Sequence, residues 1–150
     1  GLTNDVARDT VQCGPGSESP KVLFGSVEFA VVQSDIKLVV VLGHSQCGAV
    51  LAALEQLEQP QNAQLQNLRA IVDHIRPSAE VLLTTKLRHD PRALVQQAIR
   101  ANISASVNRL RNRSEVLERA IAQDGLVVVG AEYSLETGVV CFLDGIPKAG

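Results

Sequence analysis

The chain has 150 residues, a formal net charge of −2 and a 45% share of hydrophobic residues. This length suits one domain with a sizeable core, which must be aliphatic because only 3% of the residues are aromatic. The near-neutral charge favours neither nucleic acid nor an anionic membrane as a partner. No apolar run reaches the roughly 18 residues of a membrane span, and the N-terminus lacks the pattern of a targeting segment. Three widely spaced cysteines predict a reducing compartment, so we expect a cytoplasmic protein.

The N-terminal segment, residues 1–20, is polar and rich in chain breakers. Its breakers are Gly14, Pro15, Gly16 and Pro20. We expect an irregular segment here, at the start of a single domain that spans residues 1–150. Cys13 lies within it and is interpreted as a loop thiol, with a substitute metal ligand as the alternative. Beyond this segment, Ser26 is predicted to be the N-cap of a helix over Val27–Gln33.

An aliphatic run over Ile36–Leu42 predicts a fully buried strand. The run breaks at Gly43, and Gly48–Glu58 then has the spacing of a helix that faces a core. A strand that ends in a glycine-containing turn and opens a helix is where α/β sheets place their ligands. His44 and Cys47 lie in that turn, and zinc accepts both an imidazole and a thiol as ligands.

Three interpretations of this turn remain open from the residues alone. In the first, Cys47 is a small buried residue and His44 is a hydrogen-bonded turn residue. In the second, the run GHSQC resembles a nucleophile elbow, Gly-x-Ser-x-Gly, and Ser45 is the nucleophile of a serine hydrolase. The closing residue of that run is cysteine, where an elbow has glycine for close packing. In the third, His44 and Cys47 form half of a zinc site.

The remaining chain predicts further helices and two more strands. Helices are predicted over Ala63–Ile75, ending before Pro77, over Ser78–Arg88, over Arg92–Leu110, and from a Ser114 cap to Gln123 with Gly125 at its end. Strands are predicted over Leu126–Ala131 and Val139–Leu143, joined by a turn at Glu136–Gly138.

Several chemically active side chains in this part of the chain receive structural interpretations. His74 is interpreted as a structural histidine near a helix C-terminus, and His89 as solvated. Cys141 is interpreted as a packing residue within its strand. The arginines at positions 109, 111 and 113 are interpreted as a solvated helix end, because no aromatic residues alternate with them as nucleic-acid stacking would require.

Three segments resemble the β-class carbonic anhydrases. VVVLGHSQCGAV (residues 39–50) is similar to the zinc-binding segment of that family, and FGSVEFAV (residues 24–31) to the helix before it. VVVGAEYSLETGVVCFLD (residues 127–144) resembles the closing hairpin of the family. The similarity therefore runs from about Phe24 to Asp144. It implies an α/β fold with a small, mainly parallel sheet flanked by helices.

The resemblance also implies an activity, zinc-dependent hydration of carbon dioxide to bicarbonate. His44 and Cys47 would be two zinc ligands, and Ser45 would orient a ligand through a hydrogen bond. The family builds dimers, so a homodimer or a larger homo-oligomer is expected. Apolar strand edges need such cover in any case.

One family feature is absent, the Cys-x-Asp-x-Arg strand that carries a further zinc ligand. None of the three cysteines is followed by Asp-x-Arg, so the chain resembles a member lacking the family's first βαβ portion. A catalytic zinc needs three protein ligands. Cys13 is the candidate for the third ligand. The metal site is therefore expected to be incomplete, and efficient catalysis is not expected from this chain alone. The alternative is a metal-free relative that serves as an assembly module.

Overall fold

The computed structural model describes residues 20–60 and 69–144. Its elements in chain order are helix α1 (Pro20–Ser34), strand β1 (Leu38–His44), helix α2 (Gly48–Glu58), helix α3 (Arg69–Leu83), a 3-10 turn (Lys86–His89), helix α4 (Pro91–Asn112), helix α5 (Glu115–Gln123), strand β2 (Val127–Tyr133) and strand β3 (Val140–Phe142). The α/β class predicted from the sequence is confirmed. Within these ranges, no helix is both long and apolar enough to cross a membrane. The predictions for Cys13 and for residues 63–68 fall outside the described residues.

The described strands form one small sheet in the order β1-β2-β3. Strands β1 and β2 are parallel, with Leu38 opposite Val127 and His44 opposite Tyr133. Strand β3 pairs antiparallel with the end of β2 over three residue pairs. Most of the pairing is therefore parallel, as expected. Because β1 and β2 run in the same direction, their carboxyl ends meet at one edge of the sheet.

Helix α4 packs closely against one face of the sheet because two strand residues opposite it are glycines. A Cβ atom on Gly43 would lie 2.6 Å from Ile103 Cγ1, and one on Gly130 would lie 2.8 Å from Ile103 Cγ2. The N-terminus of α4 is fixed by Asp90, whose Oδ1 accepts a hydrogen bond from Ala93 N at 3.1 Å. The cap at Asp90 and the absence of side chains at Gly43 and Gly130 together determine the distance between helix α4 and the sheet.

Strand β1 is only half buried, so the prediction of a fully buried strand is wrong. Val39 and Val41 are buried, whereas Leu38 and Leu42 are 53% and 36% exposed. Successive side chains of a strand point to opposite faces, and helix α4 covers only one of them. The strand also extends two residues beyond its predicted end, because Gly43 and His44 continue the pairing with β2.

Helix α1 begins earlier than the sequence predicts. It starts at Pro20, so Ser26 lies inside the helix and is not its N-cap. Proline suits a first helical position, because it has no N–H group to leave unpaired there and its φ angle is already helical.

Helix α3 runs through Pro77, so the predicted break before this residue is wrong. A proline removes one backbone hydrogen bond, but Ile75 and Ala79 on either side are 1% and 0% exposed. Their burial holds the helix together across the missing bond. The predicted helix Ser78–Arg88 is wrong as a separate element, because its first part belongs to α3. Thr85 then caps the 3-10 turn by accepting a hydrogen bond from Leu87 N at 3.2 Å.

The end of the chain follows the sequence prediction more closely. Ser114 Oγ accepts from Leu117 N at 3.2 Å and donates to Glu28 Oε1 at 2.6 Å, so the predicted cap also ties α5 to α1. Gly125 follows the helix with a φ of 72°, which favours glycine. Cys141 is exposed, so the prediction that it is a packing residue within its strand is wrong. Strand β3 lies at the rim, where its side chains face solvent.

Two arginines of the basic cluster make specific contacts, so a solvated helix end is the wrong interpretation for them. Arg111 Nε donates to Val128 O at 3.0 Å, which joins helix α4 to strand β2. Arg109 Nη1 contacts both ring nitrogens of His74, at 3.1 Å from Nδ1, and its Nη2 donates to His74 O at 3.3 Å. His74 lies in the middle of α3 and not near its C-terminus, because the helix continues past Pro77.

The contact between His74 and Arg109 predicts a loss of stability at acidic pH. Burial, and then the charge of Arg109, hold the pKa of His74 below its usual value of 6.5. The folded state therefore binds this proton more weakly than the unfolded state does. Its contribution is present above pH 6.5 and is lost as the pH falls through the lower folded pKa. We expect His74→Gln to reduce the fall in urea midpoint between pH 7.5 and pH 5.5.

His89→Gln is the control for this experiment, since it replaces an exposed histidine of the 3-10 turn. An equal pH effect in the wild type and in His74→Gln would contradict the prediction.

Candidate functional site

The turn between β1 and α2 holds the residues singled out by the sequence. His44 is the last residue of β1 and is half-buried, and Cys47 is the N-cap residue of α2. Cys47 is 3% exposed and belongs to the hydrophobic core. Its carbonyl oxygen accepts from Leu51 N at 3.0 Å, which closes the first turn of the helix. The strand and the helix therefore bring an imidazole and a thiol to the two ends of one short turn.

The ring of His44 is oriented by its own backbone neighbour. His44 Nδ1 lies 2.8 Å from Ser45 O. A carbonyl oxygen only accepts hydrogen bonds, so Nδ1 carries the hydrogen and the neutral ring keeps its lone pair on Nε2. A second hydrogen bond that fixes the tautomer in this way is typical of histidines that bind metals. The tautomer assigned from this contact is compatible with a metal ligand at Nε2.

The hairpin between β2 and β3 holds the two residues between His44 and Cys47. Ser45 N donates to Tyr133 O at 2.9 Å, and Ser45 Oγ accepts from Leu135 N at 2.9 Å. Ser45 Oγ also donates to Glu136 Oε2 at 2.8 Å, and Gln46 Nε2 donates to Glu136 Oε1 at 2.6 Å. Glu136 therefore bonds to both central residues of the turn.

The carboxylate of Glu136 is strongly favoured in its ionised form. Hydrogen bonds from Ser45, from the backbone of Glu136 itself, from Gln46 and from Ser134 lower the pKa of Glu136 to about 2. A carboxylate with so low a pKa is a weak base near neutral pH. Its hydrogen bond with Ser45 fixes the hydroxyl group without activating it as a nucleophile.

A cavity of about 920 Å³ lies between this turn, helix α4 and the hairpin. Ser45 and Gln46 line it, whereas His44 and Cys47 do not. Within it, Arg100 Nε donates to Glu132 Oε2 at 2.7 Å, and Glu132 is only 8% exposed. This ion pair fixes α4 to the carboxyl end of β2. That His44 and Cys47 form half of a zinc site stays a prediction.

The comparison with known proteins identifies the family. The carbonic anhydrase family matches residues 10–140 of the chain. Carbonic anhydrase 2 of Mycobacterium tuberculosis (strain ATCC 25618 / H37Rv) is 34% identical over 130 residues, which cover 85% of this chain and 59% of that protein. The chain belongs to the carbonic anhydrase family.

Solved structures place the chain in the β-carbonic anhydrase fold. The β-carbonic anhydrase CafA of Aspergillus fumigatus aligns with a TM-score of 0.73 and 27% identity, over 90% of this chain and 61% of that one. Tetrameric β-carbonic anhydrases of Sordaria macrospora give a TM-score of 0.70 at 24% identity, over 86% of this chain and 63% of the relative. This chain therefore spans about three fifths of the length of these relatives.

The residues present fit a zinc site only in part. Across residues 20–60 and 69–144, no group of three or more His, Cys, Asp or Glu residues is arranged to hold a metal. His44 and Cys47 offer two donors, and catalytic zinc needs three from the protein. Outside the described ranges, the chain carries four side chains with a suitable donor, namely Asp5, Asp9, Cys13 and Glu18. Within the given sequence, these four residues are the candidates for a third donor outside the described ranges.

Sequence reasoning missed Glu136 as part of this site. Glu136 lies 91 residues after Ser45, in the turn that the sequence predicts at Glu136–Gly138 without assigning it a role in the site. The signal that could have found it is topological: parallel strands place their carboxyl ends together, so the turn after β1 meets the turn after β2.

Proposed function

We propose that this chain takes part in the zinc-dependent, reversible hydration of carbon dioxide to bicarbonate, in the cytoplasm. The observation that carries the proposal is the contact of His44 Nδ1 with Ser45 O at 2.8 Å, which assigns the lone pair to Nε2 in the turn that also contains Cys47, in a member of the carbonic anhydrase family. The chemistry that zinc supplies when bound is a lower pKa for water, which makes hydroxide available near neutral pH. His44 and Cys47 would be the metal ligands that this chain supplies, and Ser45 would help to orient them.

Each turn residue has a distinct task in this proposal. His44 contributes Nε2, and the bond from its Nδ1 to Ser45 O keeps the ring in that tautomer. Cys47 contributes its sulfur from a buried position at the start of α2. Ser45 fixes the backbone between them through its bonds to the hairpin. Since only two donors lie in the turn, a third ligand is required for efficient catalysis, with Cys13 as the candidate within this chain.

A metal-free assembly module is the second candidate function. Its supporting observation is the lack of a three-donor group in the described part of the chain. A serine hydrolase acting through Ser45 has less support. Ser45 Oγ donates to Glu136, whose pKa of about 2 makes it a weak base. Within the described ranges, no hydrogen bond joins this hydroxyl to a histidine ring.

Metal content of the purified protein distinguishes these functions. About one zinc per chain, lost together with hydration activity on treatment with a chelator, would support the enzyme. A folded protein without zinc, even after incubation with zinc, would support the assembly module. Labelling of Ser45 by a fluorophosphonate probe would support the hydrolase and overturn the proposed function.

The exposed side of strand β1 predicts self-association. Leu38 and Leu42 are exposed on β1, which ends the described sheet. Exposed apolar side chains on a strand at the end of a sheet are an aggregation hazard that a symmetric dimer removes. We expect sedimentation at micromolar concentration to show at least twice the chain mass of 16.0 kDa. Leu38→Lys combined with Leu42→Lys should shift the protein towards monomer.

Val81→Lys is the control for this effect, since Val81 is an exposed apolar residue on helix α3, away from the sheet edge. A cooperatively folded wild-type monomer would contradict the prediction.

A further inference from the structure

Two distant segments of the chain meet in a hydrogen-bonded cluster that we call the Glu136 clamp. Its members are Ser45, Gln46, Ser134 and Glu136. Glu136 Oε2 accepts from Ser45 Oγ at 2.8 Å and from Ser134 Oγ at 3.0 Å, while Oε1 accepts from Gln46 Nε2 at 2.6 Å. The two carboxylate oxygens thus join the turn after β1 to the turn after β2.

The backbone of Gln46 adopts a conformation that needs support from its surroundings. Gln46 has a φ of 54°, in the left-handed region that residues other than glycine adopt only at a cost. It lies between His44 and Cys47, so its conformation sets how these two residues face each other. Strained backbone of this kind persists only where surrounding contacts over-determine it, and it is concentrated at functional sites.

The contacts of Ser45 show that the hairpin supplies this constraint. Ser45 N and Ser45 Oγ bond to backbone atoms of Tyr133 and Leu135, so the first half of the turn is fixed to the hairpin backbone. Within the described residues, the side chain of Gln46 is held by its hydrogen bond from Nε2 to Glu136 Oε1 at 2.6 Å. Glu136 is therefore the residue on which the second, strained half of the turn depends.

We propose that Glu136 is a positioning residue that holds Gln46 in its left-handed conformation, so that His44 and Cys47 are presented together to a metal. The metal part of this inference rests on the proposed zinc function. Glu136 bonds to Ser45 and Gln46, the two residues between His44 and Cys47, so it acts on the candidate ligands through them. Its loss should therefore weaken metal binding and loosen the turn without removing a donor.

The first experiment compares Glu136→Gln and Glu136→Asp with the wild-type chain. Zinc affinity is measured by competition with a chromophoric chelator, and the alkylation rate of Cys47 in the metal-free protein is followed by peptide mass spectrometry. We expect Glu136→Gln to bind zinc about 10-fold or more weakly, the range for lost outer contacts of a metal site. Cys47, which is buried, should react several-fold faster relative to the exposed Cys141. Glu136→Asp keeps the charge and should recover part of both losses.

Glu55→Gln is the matched control, because Glu55 is an exposed glutamate of helix α2 that lies outside the Glu136 clamp. It changes the net charge by the same amount and should match the wild type in both measurements. Thermal unfolding of every variant separates a local change in the turn from a loss of the fold.

A second variant tests the role of backbone strain directly. Glycine adopts a φ of about 54° without the cost that glutamine bears. Adding Gln46→Gly to Glu136→Gln should therefore restore most of the zinc affinity and most of the Cys47 protection. A residue that only contributed to general stability would not be rescued in this way.

The outcomes separate this inference from the proposed function. If the wild type binds no zinc but Cys47 protection still depends on Glu136 and is rescued by Gln46→Gly, the positioning role stands and the zinc function fails. If Glu136→Gln matches Glu55→Gln in both measurements, the positioning role is overturned. It is also overturned if Cys47 and Cys141 become reactive together, or if Gln46→Gly gives no rescue.

Discussion

His44→Ala is expected to abolish zinc retention, and with it any hydration activity of the assembled enzyme. The change removes Nε2, the imidazole donor whose tautomer is fixed by Ser45 O, and leaves Cys47 as the one ligand in the turn. We expect zinc affinity to fall by more than about a hundredfold, beyond the roughly 10- to 100-fold range of changes outside the ligand set. Zinc per chain after gel filtration and stopped-flow hydration of carbon dioxide are the measurements.

Ser45→Ala is the informative comparison for this prediction. It removes the hydroxyl that bonds to Glu136 and Leu135, but it leaves both donors and the backbone bond from His44 in place. Its effect should be a weakening of about 10-fold. Equal losses from His44→Ala and Ser45→Ala would favour the nucleophile-elbow interpretation. His89→Ala, at an exposed histidine, should retain wild-type zinc content.

The sequence predicts those parts of the fold that depend on local pattern. The strand β1 and the start of α2 follow from an aliphatic run, a glycine and a helical stripe, and all three are local signals. The break predicted at Pro77 is wrong because tertiary packing outweighs the local tendency of proline to end a helix. Burial of Ile75 and Ala79 stabilises α3 across the missing hydrogen bond. The same limit applies to Ser26, whose N-cap chemistry is not used because α1 begins before it.

Burial was harder to predict than secondary structure. Periodicity shows which residues are apolar, but it does not show what covers them. Leu38 and Leu42 are exposed because α4 covers only the other face of β1, and Cys141 is exposed because β3 lies at the rim of the sheet. Such facts depend on the neighbours of each strand, which a strand's own sequence does not specify.

The site also contains residues that a local motif predicts and one residue that only the topology reveals. His44 and Cys47 are recognisable because they are three positions apart within one local motif. Glu136 is recognisable only after the register of β1 and β2 is known, since 91 residues separate it from Ser45. A local motif thus identifies the candidate ligands, and the topology identifies the residue that holds their turn.

Gly43→Ala is expected to reduce the stability of the fold and to disturb the metal turn. A Cβ atom at this position would lie 2.6 Å from Ile103 Cγ1, closer than two carbon atoms can pack. The side chain of Ile103, strand β1 or helix α4 must shift, and overpacking of this kind costs about 1–3 kcal/mol. Because His44 follows directly, the shift should also weaken zinc binding. Urea unfolding and chelator competition measure the two effects.

A double-mutant cycle with Ile103→Ala assigns the effect to this contact. Ile103→Ala alone should cost about 2–5 kcal/mol, because it leaves a cavity between α4 and the sheet. The double variant should be more stable than the sum of the two losses predicts, by about 0.5–3 kcal/mol, since the added methyl group then fills part of that cavity. A strictly additive result would show that Gly43 is needed for another reason.

Gly48→Ala is the matched control for Gly43→Ala, from the other end of the same turn. A Cβ atom on Gly48 would have no neighbour within 4 Å, and the residue is the first of helix α2. Alanine is a better helix former than glycine, by up to about 1 kcal/mol in a helix interior. Gly48→Ala should therefore leave stability unchanged or raise it. If Gly43→Ala costs no more than Gly48→Ala, then close packing of α4 against β1 does not position His44.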